Sequence, residues 1–255
     1  MSADSTSLEG QVAIVTGAGQ GMGRAIAVTL AQHGAKTAVL DVNAKTASAV
    51  AAEITAAGGR SLAVVADVAR PSDVRRAVQE TIDAFSTVDI LVNNAGVLRP
   101  GPFERITEEE WDLVVDVTLK GAFLFTQAVA PIMKAKRAGH IVNIASMAGR
   151  ATSTLGGPHY TAAKAGMLGL SRHAARELAP FGINVNAVSP GIIDTPMVHA
   201  HTSDARLDEV RRSIPFQRLG TAEEVAQLVL FLVGRGSSYI TGAAVDIHGG
   251  EMIIQ

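Results

Sequence analysis

Val12-Ala13-Ile14-Val15-Thr16, running into Gly17-Ala18-Gly19-Gln20-Gly21-Met22-Gly23, decides the fold: a short apolar run passes through four glycines into an alanine-rich stretch. Glycines at such a junction permit a tight turn. They also let backbone N–H groups approach a pyrophosphate at the positive end of the following helix. The common Gly-x-Gly-x-x-Gly fingerprint does not fit, because Met22 stands where its third glycine should be; the wider Thr-Gly-x-x-x-Gly-x-Gly spacing does. Alone, such a run is also what a plain turn looks like, so the neighbouring segments have to decide.

Working outward, β-branched runs alternate with alanine-rich helical stretches. The runs are Val12–Thr16, Thr37–Asp41, Ser61–Ala66, Ile90–Asn93, His140–Ala145, Asn184–Val188 and Ala244–Ile247. They are almost wholly apolar, as strands covered on both faces must be. Between them the spacing predicts helices over Met22–His33, Lys45–Ala57, Ser72–Phe85, Glu108–Lys136, His159–Ala179 and Ala222–Val233, the fourth bending near Pro131. Thr107 with Glu110, and Thr221 with Glu224, read as capping boxes. This is an α/β pattern: a Rossmann-type, doubly wound parallel sheet of about seven strands with helices on both faces. No repeat or linker divides it, so residues 1–255 form one domain, with residues 1–8 as a flexible tail and 196–215 as a lid segment on the substrate side.

Composition narrows the function. A net charge of -2, with no basic stripe, gives no general attraction to nucleic acid or acidic membranes. With Cys 0, disulfides, thiolate nucleophiles and cysteine metal sites are excluded. The polar N-terminus is unlike a signal peptide, and the apolar stretch Gly121 to Met133 is broken by Thr126, Gln127 and Pro131, so the expectation is a soluble cytoplasmic protein.

Asp41 ends the second run 18 residues after Gly23, where an acid can hydrogen-bond the adenine ribose hydroxyls and repel a 2′-phosphate. Neither Gln20 nor Val42 supplies an offsetting cation, so the expected cofactor is NAD in preference to NADP. The structural alternative is that Asp41 merely ends a strand before Asn43 caps a helix. Asp67 and Val68, at the end of the third run, offer a side chain and a backbone to the adenine edge.

Tyr160 and Lys164 stand at i and i+4 in His159-Tyr160-Thr161-Ala162-Ala163-Lys164, on one face of a helix. A free tyrosine titrates near pH ~10. A cation beside it favours the phenolate and makes it a usable base. The other tyrosine, Tyr239, has Ala243 at the matching position.

With Asn93-Asn94-Ala95-Gly96 after the fourth run, Ser146 upstream of Tyr160, and Ser189-Pro190-Gly191 followed by Thr195, the chain resembles the short-chain dehydrogenases/reductases over nearly its whole length. The resemblance implies an oxidoreductase exchanging hydride between a nicotinamide dinucleotide and a secondary alcohol or ketone, usually as a homotetramer. It implies that Tyr160 exchanges the proton with the substrate oxygen, that Ser146 hydrogen-bonds that oxygen, and that Lys164 contacts the nicotinamide ribose and acidifies the phenol. Gly17, Gln20, Gly21, Met22, Gly23, Asn94, Ala95, Gly96, Pro190, Gly191, Ile193 and Thr195, together with Tyr160 and Lys164, are the expected cofactor contacts, with Asn93 as a support. Two departures stand out. Thr118 occupies the place of an asparagine thought to hold a water in a proton relay, and the Ser146–Tyr160 interval is one residue longer than usual.

Met147, Arg150, Leu155 and His159 are candidate substrate contacts. His199 and His201 lack companion ligands, so no metal is expected. Trp111 and 103–106 read as packing, and the apolar C-terminal end as a subunit contact. The leading function is NAD-dependent oxidation of a secondary alcohol. The alternatives are a 3-oxoacyl-type ketoreductase, a role that usually draws on NADPH, and a dinucleotide-binding regulator without catalysis.

Overall fold

The computed structural model describes residues 6–252. Its seven strands are β1 (Val12–Thr16), β2 (Lys36–Asp41), β3 (Arg60–Val65), β4 (Ile90–Asn93), β5 (Gly139–Ile144), β6 (Ile183–Pro190) and β7 (Ala244–Ile247). They form one parallel sheet in the order β3-β2-β1-β4-β5-β6-β7. The helices are α1 (Gly21–Gln32), α2 (Ala44–Ala56), α3 (Pro71–Phe85), α4 (Glu108–Val115), α5 (Gly121–Lys136), α6 (Pro158–Leu178), α7 (Pro196–His201), α8 (Asp204–Ser213) and α9 (Ala222–Val233).

The period of two in β1 divides the core. Ala13 and Val15 face Ile26, Leu30, Val225 and Val229 on one side, whereas Ile14 faces Leu91, Phe125, Val129 and Met133 on the other. Both faces are therefore dry, which is why the runs carry almost no polar residue. Strand order reverses between β1 and β4, and the crevice opens at the carboxyl ends of the strands there.

The helix expected over Glu108–Lys136 is unbroken, but its irregularity is not at Pro131, which stands exposed inside α5. It is a π turn over Asp116–Lys120, where the Gly121 N–H reaches back to the Asp116 carbonyl. By length and apolar composition these 29 residues could cross a membrane. Here the apolar side is spent on the core, with Phe125, Val129 and Met133 fully buried. Thr221 and Glu224 close their capping box, whereas Thr107 accepts from the Glu110 N–H without the return bond.

Leu8, placed by expectation in a flexible tail, is fully buried, and its N–H donates to the His33 carbonyl; residues 1–5 lie outside the described residues. The 196–215 segment carries α7 and α8, and α8 inserts Leu207 and Val210 beside Ile192, Ile214 and Leu219. Phe103 does not pack; it is 79% exposed. Of the C-terminal stretch read as a subunit contact, residues 253–255 also lie outside the described residues.

Candidate active site

The glycine turn is held from β4. Thr16 Oγ1 accepts from the N–H groups of Asn94 and Ala95, and Asn94 Nδ2 donates to the carbonyls of Thr16 and Gly17, all at 3.0 Å. A Cβ on Gly23 would stand 2.1 Å from the Gly17 oxygen, and Gly17 has φ +60°, so both positions need glycine. Thr16, which opens the Thr-Gly-x-x-x-Gly-x-Gly motif but was not among the expected cofactor contacts, is a positioning residue for the turn.

A cleft of about 410 Å³ runs along this turn, lined by Gly17, Gln20–Gly23, Asp41, Asp67, Val68, Asn94–Gly96 and Thr195. At its centre α1 begins without a side-chain cap and without an acid in its first turn. The first N–H groups of a helix have no partner within it, and a diphosphate satisfies them where a capping carboxylate would compete. A nicotinamide dinucleotide therefore fits.

Pro190, Gly191 and Ile193 join Thr195 around a second cavity of about 90 Å³, together with Ser146, Tyr160, Met147, Leu155, Leu98 and Met197. Ser146 follows β5, and its Oγ accepts from the Ala148 N–H at 3.1 Å, fixing the turn that begins the loop to Tyr160. Met147 and Leu155 thus line this cavity. Arg150 and His159 do not. The Arg150 guanidinium is taken by Asp246 (2.7 Å) and the Ala244 carbonyl (2.7 Å), and His159 is turned toward α4.

Lys164 is 3% exposed and donates to the Ile144 carbonyl at 2.6 Å. Its Nζ lies 5.6 Å from the centre of the Tyr160 ring. Burial pulls the ammonium down to about 7 and pushes the phenol up to about 12, with the Ser146 hydrogen bond working against the latter. The expected acidification of Tyr160 by Lys164 does not appear in this arrangement: burial raises the phenol, and the group that opposes the rise is Ser146. Thr118 is fully buried in the π turn, and its Oγ1 accepts from the Val97 N–H at 3.3 Å. A Cβ on Gly96 would stand 3.6 Å from Thr118 Oγ1 and 3.7 Å from Lys164 Nζ, so both polar groups border the same small space. Asn93 lies behind it in a buried chain, donating to Asn143, which donates to Ser171, at 2.8 Å each. His199 pairs with Asp194 at 2.6 Å.

The family described as enoyl-(acyl carrier protein) reductase matches residues 17–251. Among curated proteins, 3-oxoacyl-(acyl-carrier-protein) reductase of Staphylococcus epidermidis is 43% identical over 239 residues, 93% of this chain and 97% of the relative. Those of Synechocystis sp. and Thermotoga maritima are 42% and 39% identical over 250 and 246 residues, 97% and 96% of this chain and 99% of each relative. A solved short-chain type dehydrogenase/reductase from Mycobacterium marinum superposes with a TM-score of 0.92 at 35% identity, covering 97% of this chain and 98% of that one.

These relatives correct the expected preference for NAD over NADP. They are reductases of 3-oxoacyl groups, the role that the sequence reading tied to NADPH, and the preference rested on Asp41 alone. The structure gives Asp41 other work. Its Oδ2 accepts from the Gly19 N–H at 2.9 Å and its Oδ1 from the Asn43 N–H at 3.0 Å. That carboxylate closes the glycine turn against the start of α2, a structural duty that accounts for an acid at this position.

Proposed function

The chain belongs to the short-chain dehydrogenase/reductase family of oxidoreductases, and from that premise we propose that it reduces the ketone of a 3-oxoacyl thioester to the secondary alcohol, with NADPH as reductant. The observation that carries the reading is the cavity that brings Tyr160 and Ser146 together beside Gly191 and Thr195, where a protonated phenol can act as the general acid toward a ketone oxygen. The substrate side is supported by the relatives and by a pocket wall of Leu98, Leu155, Ile192, Met197 and Val198.

When bound, the reduced dinucleotide supplies the hydride. The N–H groups opening α1 and the residues Gly17 to Gly23 would hold its diphosphate, Asp67 and Val68 would take the adenine end, and Asn94 to Gly96, Pro190, Gly191, Ile193 and Thr195 would take the nicotinamide end. Tyr160 donates its proton to the substrate oxygen while Ser146 donates a hydrogen bond to it, stabilising negative charge as it develops. Lys164, anchored on the Ile144 carbonyl, and Thr118 form the polar way behind the phenol by which its proton is restored. Proton transfer by a positioned acid is worth about 10²–10⁴-fold.

The reading includes a cytoplasmic homotetramer. The exposed apolar side chains Trp111, Leu113 and Phe123 on α4 and α5, and Phe231 on α9, support faces that further copies would cover. The test is reduction of a 3-oxobutanoyl thioester, followed as loss of reduced-dinucleotide absorbance. Turnover is expected to be steady through neutral pH and to fall only at strongly alkaline pH, with NADPH used better than NADH. No thioester reduction, or a rate rising with pH as a phenolate base demands, overturns the proposal.

A further inference from the structure

His159 has no exposed surface and lines neither cavity, yet it immediately precedes Tyr160. Its Nδ1 accepts from the Tyr160 backbone N–H at 3.0 Å. With Nδ1 acting as acceptor, the ring hydrogen belongs on Nε2. Nε2 has no hydrogen-bond partner and faces Glu110 Oε1 at 3.9 Å, while the ring stacks on Trp111 with centroids 6.4 Å apart and planes at 25°. A buried donor without a partner is costly, so an apolar ring would suit this position better if it served packing alone.

The reason lies in the start of α6. Gly157 is its N-cap and brings no side chain, and Pro158 follows as the first helical residue. A Cβ on Gly157 would stand 2.7 Å from His159 Cε1, so the imidazole occupies the space an ordinary capping side chain would take. The Tyr160 N–H is shared between the Gly157 carbonyl at 3.1 Å and His159 Nδ1 at 3.0 Å, so the imidazole supplies there the side-chain acceptor that a capping residue would otherwise bring. On its far side the same ring touches α4 through Trp111 and Glu110. Glu110 leaves the capping box with Thr107 open and lies against His159 instead.

We propose that His159 is a positioning residue for Tyr160: an internal cap that fixes the first turn of α6 against α4 and so sets where the phenol stands. This rests on Tyr160 being the proton donor proposed above, so one readout must be independent of turnover. Tyr239 is fully exposed, and Tyr160 is the only other tyrosine, so in a Tyr239→Phe background the phenolate absorbance reports Tyr160 alone.

In that background three variants are compared with the parent. His159→Phe keeps the stacked ring and removes the acceptor. His159→Asn places an amide oxygen near the Nδ1 position, and His159→Gln places its amide near Nε2 instead. With Phe or Gln, the Tyr160 midpoint should fall toward that of free tyrosine as water reaches a loosened turn. The kcat for thioester reduction should fall roughly ten- to a hundred-fold with little change in KM for either substrate. Asn should restore both. If Phe fails to fold, Gln carries the comparison. An unchanged Tyr160 midpoint in Phe and Gln, or equal loss in Asn, overturns the proposal. A shifted midpoint restored by Asn, in a protein that reduces no thioester, upholds the positioning and overturns only the proposed function.

Discussion

The half of the site around β1 to β4 and the half around β5, β6 and α6 are built on opposite principles. The first binds through backbone: a glycine turn, unpaired N–H groups at the start of α1, and a lattice of bonds from Thr16 and Asn94 in which the polar groups have ordinary partners. The second works through side chains set into the protein interior, with Tyr160 raised and Lys164 lowered by desolvation, beside His159, which has a ring nitrogen without a partner. Binding groups can rest in a satisfied fold, whereas reactive ones are kept reactive by burial that the fold must offset elsewhere.

The sharpest way to separate the halves is Tyr160→Phe. The ring remains and the hydroxyl goes, so kcat should fall by about 10²–10⁴-fold. Dinucleotide affinity, read from quenching of reduced-nicotinamide fluorescence, should fall by no more than about tenfold, because one uncharged hydrogen bond is worth about 0.5–1.5 kcal/mol. A comparable loss of binding would show that the two halves are not separable.

The converse is Gly23→Ala. Its Cβ would meet the Gly17 carbonyl at 2.1 Å and Asn94 Nδ2 at 2.5 Å, contacts that only movement of the turn relieves. Overpacking of this kind costs about 1–3 kcal/mol, so dinucleotide affinity should fall about tenfold or more and Tm by several degrees. The Tyr160 titration should not move. Retained affinity would mean that the turn has slack the geometry does not show.

The same contrast governs what could be read from the sequence. The glycine turn, Asp41 and the Tyr160–Lys164 pair were legible because each is a short-range pattern, and so was the alternation that gave seven strands. Asp41 was nonetheless misassigned, since its bonds to the Gly19 and Asn43 amides depend on how the turn folds back. The π turn that places Thr118, the Ile144 carbonyl that anchors Lys164, and the Asp246 partner that removes Arg150 from the pocket had no local signature. Arg150 and Asp246 lie on separate elements, the loop after β5 and β7 in that order, and only the assembled sheet joins them. Spacing reveals which groups a site owns; burial sets their protonation, and burial is a property of the whole fold.

Lys164→Met sharpens the comparison through the pH dependence of stability. Lys164 titrates near 7 in the folded chain against an ordinary 10.5, so between those values the unfolded chain holds the extra proton. A depressed folded value means that stability is fully present above the unfolded value and is lost as pH falls through the folded one. Tyr160 acts in the opposite sense and only at higher pH. Raised from 10 to about 12, it contributes stability present below 10 and lost as pH rises through 12. From pH 7 to 10 the lysine therefore dominates this pair. Replacing it with Met, of similar length and uncharged, should make urea unfolding less pH-dependent across that window. The variant's advantage should be largest near pH 7, on the order of 1–4 kcal/mol, offset in part by the Ile144 carbonyl left without its donor. It should shrink steadily toward pH 10, in an enzyme that has lost turnover. Parallel pH dependences would place the lysine in water, and with it the claim that this half of the site is held reactive by its burial.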